Sequence, residues 1–328
     1  MRNKAIEPNE DLHEEYYQVS PVILESFPKF RLPLDTFEFR EQVAQLIPLT
    51  QAGQRISAEQ RQMILDKCAQ GLIFVARKDH PIYAEHISKQ LDLVLVDSSL
   101  KSSEIALIIK QGLTDRFKAF LDQPVAPVLV HLQTDLLVLT EYLWHDPFRI
   151  KAFKKHLWED HSLANHGVNS LFIGLALYMR LNEGDLRRKH LDEVAMGLLA
   201  HDLGMSKIPA FIRAKTMPLT RDELEKIREH CWIGGKMLHS LEVRSDLILK
   251  QALEHHERLD GKGYPQKLPG KEISMVGQLC AVVDSYCAMI TDRPYAEALT
   301  SSSALSALSQ SPGYNDKMVR ALMGMMMG

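Results

Sequence analysis

The strongest constraint on this chain is a helical apolar repeat in its second half that carries histidine and aspartate on the faces a core would bury. Between His190 and Leu203 the apolar residues Leu191, Val194, Ala195, Leu198 and Leu199 recur at intervals of three and four, which predicts a helix with one buried stripe. Asp202 falls four residues after Leu198 on that stripe, and His201 seven after Val194. A carboxylate on a core-facing stripe is costly unless it is paired or bound to a metal.

The same pattern recurs four times. Thr220 and Glu223 form a capping-box pair after Pro218, and Leu224, Ile227 and Cys231 are expected on the buried face of the helix they open, with His230 beside them. A further helix carries Leu247, Ile248 and Ala252, which places His255 and His256 three and four residues on. Another carries Val276, Cys280, Val283 and Cys287, with Asp284 four after Cys280. Upstream, the helix with Leu163, Gly167, Ser170, Gly174 and Leu177 puts His166 on its inner face. A lone histidine on such a face reads as an ordinary buried side chain. Seven ionisable groups together do not, because an apolar core has no means of offsetting their charge. Imidazole nitrogens with carboxylate oxygens suit Fe, Mn, Zn, Ni or Co. The set exceeds one tetrahedral zinc and suits two divalent transition metal ions sharing a bridging carboxylate, as in two-metal phosphoryl chemistry.

The first third is mixed. Phe30, Leu32 and Leu34 alternate as on a half-buried strand, placed at a sheet edge by Pro33. Ser57 and Gln60 form a capping box, Gly71 ends that helix, and Leu72 to Val75 reads as a buried strand. Tyr83 to Val96 and Ser102 to Leu121 look helical. The reading is mainly α: a smaller N-terminal α+β domain over 1–124, expected to be regulatory, a linker helix over 125–146, and an all-helical bundle over 147–328. The formal net charge of −3 gives no electrostatic excess for wrapping duplex nucleic acid. The four cysteines form no CxxC pair and read as reduced thiols, the polar N-terminus lacks a signal-peptide core, and no apolar run is long enough for a membrane. A soluble cytoplasmic protein is expected.

HDLG at 201–204, His230, HHERLDGKGYP at 255–265, Asp284 and DRPY at 292–295 resemble the HD-GYP subgroup of the HD phosphohydrolase superfamily, over roughly residues 160–300. The HHE…DGxGYP string carries the specificity. An isolated HD dipeptide does not: His145-Asp146 is one too, and Pro147 after it marks a turn or cap. The resemblance implies an all-helical, metal-dependent phosphodiesterase that hydrolyses the bacterial second messenger cyclic di-GMP to pGpG or GMP by a two-metal hydroxide mechanism. It implies His166, His201, Asp202, His230, His255, His256 and Asp284 as ligands, with Fe first and Mn next. Asp202 is the implied bridge and Arg293 a phosphate-holding catalytic group. Tyr264, Lys207 and Arg293 are the implied substrate contacts. The glycine-rich 260–270 loop suggests a docking surface for diguanylate cyclase (GGDEF) partners. A non-catalytic metal-binding regulator is the alternative, and an HD nucleotidase acting on mononucleotides or an alarmone is disfavoured by the GYP string.

Four departures from the family pattern shape the expectation. Ser162 stands where trinuclear members carry a carboxylate, which favours two metals over three. Met205 and Ala296 stand where relatives carry cations near the substrate, which implies reduced turnover. Lys207 is two residues displaced from the usual lysine, about 200° around a helix. Tyr286 and Cys287 replace the usual Phe-Asp pair.

Overall fold

The computed structural model describes residues 15–43, 45–95, 97, 100–293 and 296–327. The polar stretch 1–14, Val96, and Pro294 and Tyr295 of the DRPY string lie outside them. The chain divides into two compact units, Met1–Gly112 and Leu113–Gly328, and the division falls within the helix Ser102–Asp122.

In the first unit, strands β1 (Tyr16–Gln18), β2 (Thr36–Arg40), β3 (Gln45–Thr50) and β4 (Ile73–Ala76) form an antiparallel sheet in the order β1-β4-β2-β3. β4, between β1 and β2, is buried throughout. The helix α1 (Pro21–Ser26) follows β1, and α2 (Ala58–Ala69) begins at the Ser57–Gln60 capping box, with both reciprocal bonds made. Two expectations fail here. Phe30 to Leu34 is not a strand: the Phe30 and Leu32 carbonyls accept from Ile56 and Gly53 in an adjacent loop, and only Arg31 forms a bridge, to Arg55. Pro33 offers no donor with which to extend it. The helix expected from Tyr83 to Val96 is α3 (His80–Ser88), followed by a 3₁₀ turn at Leu91–Leu95. Ser88 Oγ donates to Glu85 O at 2.8 Å, a local bond that competes with helix propagation.

The helix α4 (Ser102–Asp122) is followed, in the second unit, by α5 (Ala126–His145), α6 (Ile150–Lys154), α7 (Leu163–Leu181), α8 (Arg188–Ala200), α9 (Ala210–Arg213), α10 (Arg221–Arg228), α11 (His230–Ser240), α12 (Asp246–Glu254), α13 (Met275–Met289), α14 (Ser301–Gln310) and α15 (Asp316–Met326). The unit has no strand among its described residues. The fold is thus mainly α with a smaller α+β part first. α7 is the centre: every residue from His166 to Met179 is buried, and α8 and α13 pack against it.

Small residues set how closely these helices approach. A Cβ on Gly197 of α8 would lie 2.0 Å from Gln251 Nε2 of α12, and one on Gly204 would lie 2.0 Å from His230 O at the start of α11. The Gly204 contact is with backbone, so nothing flexible can yield. Gly204→Ala is therefore expected to destabilise the fold by about 1–3 kcal/mol through overpacking. Gly324 is an exposed glycine in α15, with only Arg180 Nη2 at 4.0 Å from its virtual Cβ. Gly324→Ala is expected to stabilise by about 0.5–1 kcal/mol through helix propensity. Denaturant melts of both variants beside the parent check the pair; equal effects would contradict this packing.

Candidate metal centre

Five of the seven candidate ligands sit at a helix end or just past one; His166 lies one turn into α7, and Asp284 in the middle of α13. Ser162 caps α7, its side chain accepting from Asn165 N at 3.0 Å, and His166 follows on the inner face. The residue departing from the trinuclear pattern is thus a helix cap. α8 stops at Ala200, so His201 caps it in αR geometry and Asp202 lies beyond, opening the 3₁₀ turn Leu203–Lys207. The expectation that both lie within a continuing helix is corrected: Gly204 must press on the α11 backbone, and the turn brings it there. His230 opens α11. The expected buried face of α10 does not form: Leu224 is exposed and Ile227 half-buried. His255 caps α12, His256 follows, and Asp284 lies within α13.

The structure brings these seven residues together. His166, His201, His230 and His255 are at most 1% exposed. Asp202 divides its carboxylate: Oδ1 lies 3.1 Å from His230 Nε2 and 3.4 Å from His255 Nε2, and Oδ2 lies 3.8 Å from His166 Nε2 and 3.9 Å from His201 Nε2. Asp284 Oδ1 is 3.1 Å from His166 Nε2, and its Oδ2 is 3.7 Å from His256 Nδ1. Two groups with metal-ligand spacing result, His166–His201–Asp202–Asp284 and Asp202–His230–His255–His256, which share Asp202.

The imidazole tautomers show what the cluster is built to hold. His201 Nδ1 donates to Leu198 O at 2.8 Å, His230 Nδ1 to Ile227 O at 2.6 Å, and His255 Nδ1 to Gln251 O at 3.0 Å. With Nδ1 carrying the proton, each neutral ring points its Nε2 lone pair inward. Yet His230 Nε2 faces His255 Nε2 at 3.0 Å; the His166 ring, by contrast, sets its Nε2 3.3 Å from His201 Nε2 and donates from it to Asp284 Oδ1 at 3.1 Å. Lone pairs aimed at each other in a buried site repel unless a cation lies between them. Asp202 Oδ1 is likewise buried without a hydrogen-bond donor. The residues fit a divalent metal centre.

Electrostatics agree. Burial pushes the Asp202 and Asp284 carboxyls up, but the surrounding imidazoles outweigh it and hold both well below the usual range. Burial pushes His255 and His256 down, with the neighbouring imidazoles adding to it. His201 and His230 are drawn up despite burial, chiefly by Asp202. The Asp202 carboxylate thus favours a cation among these rings, and a metal bound there would take the place of a proton.

The remaining sequence candidates are placed as follows. Tyr264 stacks on His256, ring centroids 4.6 Å apart, and Arg228 lies 5.4 Å over the Tyr264 ring. Arg293 is half-buried in an isolated bridge to Ala296, where its backbone N–H donates to Ala296 O at 2.9 Å. His161 is exposed, with its ring centroid 6.1 Å from that of His166. Lys207 is exposed at the end of the 3₁₀ turn, Met205 is half-buried and Ala296 exposed. Glu159 and Asp160 are exposed and join neither ligand group. Sequence reasoning missed Glu257, 1% exposed, whose carboxylate accepts from Gln266 N at 2.7 Å and Leu268 N at 3.0 Å and so fastens the loop behind Tyr264. The signal was available: a third ionisable residue directly after two histidines expected on the inner face.

Known proteins bear on this geometry in two ways. The HD domain family matches residues 154–319, half of the chain. A cyclic di-GMP phosphodiesterase of Pseudomonas aeruginosa is 34% identical over 159 residues, covering 48% of this chain and 36% of the relative. The cyclic di-GMP phosphodiesterase response regulator of Xanthomonas campestris is 35% identical over 133 residues, covering 40% and 35%. A 3′3′-cGAMP-specific phosphodiesterase of Vibrio cholerae is 30% identical over 112 residues, covering 34% and 24%. The chain spans about a third or less of the length of these relatives. In fold, an HDG"Y"P protein from Bdellovibrio bacteriovorus superposes with a TM-score of 0.64 at 14% identity, covering 96% of this chain and 100% of that one. The chain belongs to the HD-domain family and, by its 201–204 and 255–265 strings, to the HD-GYP subgroup.

Because His201 and His230 are drawn up by Asp202 in the bare cluster, metal uptake is expected to release protons near neutral pH and apparent affinity to rise with pH. Calorimetric titration of Mn(II) into chelator-stripped protein in buffers of different ionisation enthalpy measures this. Asp202→Ala is expected to abolish high-affinity uptake. Proton-neutral binding in the parent, or unchanged affinity in the variant, would contradict the assignment.

Proposed function

We propose that this chain is a divalent-metal-dependent phosphodiesterase whose substrate is a cyclic dinucleotide, cyclic di-GMP first and 3′3′-cGAMP second. The observation that carries the reading is the division of one carboxylate, Asp202, between two histidine-bearing ligand groups. Two ions bound there, Fe or Mn, would supply the positive charge and Lewis acidity that stabilise a phosphoryl transition state. His166, His201 and Asp284 would hold one, His230, His255 and His256 the other, and Asp202 both. The names of the relatives support cyclic dinucleotides as the substrate class.

The other residues are assigned by what their chemistry offers. The Arg293 fork would hold phosphoryl oxygens by paired charge-assisted hydrogen bonds. Tyr264, held against His256 on one side of the site, offers a face for a base or ribose. Lys207 would act only on a distal phosphate, since it stands exposed at the far end of the turn. The first unit would be regulatory. No helix of the described residues is long and apolar enough to cross a membrane, consistent with a second-messenger enzyme in the cytoplasm. The exposed Lys262 and Lys267 give the 260–270 loop a basic surface for an acidic partner such as a diguanylate cyclase.

Met205 and Ala296 favour a second reading, in which the chain binds metal and nucleotide and turns over slowly. Chromatography of products from cyclic di-GMP and 3′3′-cGAMP, with protein loaded separately with Fe(II) and Mn(II), tests the first: linear dinucleotide is expected, and no product at full metal occupancy would overturn it. Met205→Lys with Ala296→Lys is then expected to raise turnover. Each added charge-assisted bond contributes roughly 1.5–3 kcal/mol. Half of that expressed in the transition state is a gain on the order of tenfold. A folded, metal-loaded double variant without gain would favour the regulator.

A further inference from the structure

His255 and His256 lie past the last turn of α12, where carbonyls lose their helical donors. Ligands on such a segment need an external anchor. The structure supplies one, and no ligand set accounts for it. Arg258 Nη1 donates to His255 O at 3.0 Å and to Glu257 O at 2.8 Å. Its Nη2 donates to Ser285 Oγ at 3.2 Å, and Ser285 directly follows Asp284. The guanidinium carbon lies 4.6 Å from the centroid of the Tyr314 ring, and Tyr314 Oη donates to the same Ser285 Oγ at 2.8 Å.

The loop between α14 and α15 completes the clasp. Leu259 N donates to Gly313 O at 2.9 Å, and Asn315 Nδ2 donates to Gln278 Oε1 of α13 at 2.8 Å. A Cβ on Gly313 would lie 3.1 Å from Arg258 Cδ, so the loop backbone rests on the arginine stem. One planar fork therefore joins the backbone of His255, in one ligand group, to the residue beside Asp284, in the other.

We propose that Arg258, clamped by Tyr314, is a positioning residue of the metal centre: it sets the spacing between the two ligand groups from behind. The inference rests on the reading of the cluster as a metal centre. A lysine does not substitute, because a single ammonium lacks the rigid fork that reaches both partners while stacking on a ring. The cation at the end of α12 also lies where helix carbonyls favour positive charge.

The test uses the full chain, stripped with chelator and reloaded. Arg258→Met keeps the stem and removes the fork. Tyr314→Leu removes the ring and hydroxyl and leaves the arginine. Mn(II) affinity and the visible absorption spectrum of the Co(II)-loaded protein are read, with folding followed by circular dichroism. Arg258→Met is expected to lower metal affinity 10- to 100-fold, as loss of an outer partner does, and to change the Co(II) spectrum. Tyr314→Leu is expected to change both in the same direction by less, and Arg258→Lys to leave the altered spectrum unrestored. A folded Arg258→Met with the parent's affinity and spectrum overturns the proposal. If that variant does not fold, Tyr314→Leu decides on the same criterion. Because the readout is metal binding, absence of cyclic-dinucleotide hydrolysis in the parent would count against the proposed function alone.

Discussion

Three hydrogen bonds from imidazole Nδ1–H to main-chain carbonyls, at Leu198, Ile227 and Gln251, are the interactions on which the second unit's site depends. Each fixes a tautomer, and each uses a carbonyl in the last turn of a helix. The result is a set of Nε2 atoms turned inward toward the Asp202 carboxylate, an arrangement that suits a cation. His201 and His255 are 0% exposed and lie in the two groups whose spacing could hold metal ions.

Holding those lone pairs in register requires the helix ends to meet, and close packing makes them do so. Gly204 lets the turn after α8 press on the start of α11, and Gly197 admits the Gln251 side chain between α8 and α12. Glu254 then accepts from both Ser274 N and Ser274 Oγ, tying the end of α12 to the cap of α13. Five of the seven candidate ligands thus stand where helices start or stop, and Asp284 reaches them from the middle of α13, which keeps the costly polar groups in one place.

The capping boxes at Ser57 and Thr220 were readable because they are local, set by residues three apart. The grouping of His166, His201, Asp202, His230, His255, His256 and Asp284 was also readable, because a charged residue on an apolar stripe has few physical excuses. What was not readable depended on distant partners. Phe30 to Leu34 alternates like a strand, but whether its carbonyls meet a strand or a loop is decided by residues 53–56. The placement of His201 and Asp202 after the end of α8 was hidden because the apolar period runs on through Leu203 while the backbone turns away. Leu224 kept helical spacing without any neighbour to cover it. Arg258 and Tyr314 are 56 residues apart in the chain, and no spacing rule connects them.

Substrate choice is the point at which fold and site part company. The HD-domain fold brings the candidate ligands together, whereas under the proposed function Met205, Ala296 and Arg293 would set what charge a phosphate meets beside them. The most direct test of the central claim, that Asp202 joins two metal sites, is anomalous diffraction at the manganese edge from crystals grown with Mn(II). The expected map has one peak among His166, His201, Asp202 and Asp284, and a second among Asp202, His230, His255 and His256, each within bonding distance of an Asp202 oxygen. A single peak, or a pair that Asp202 does not touch, would contradict it.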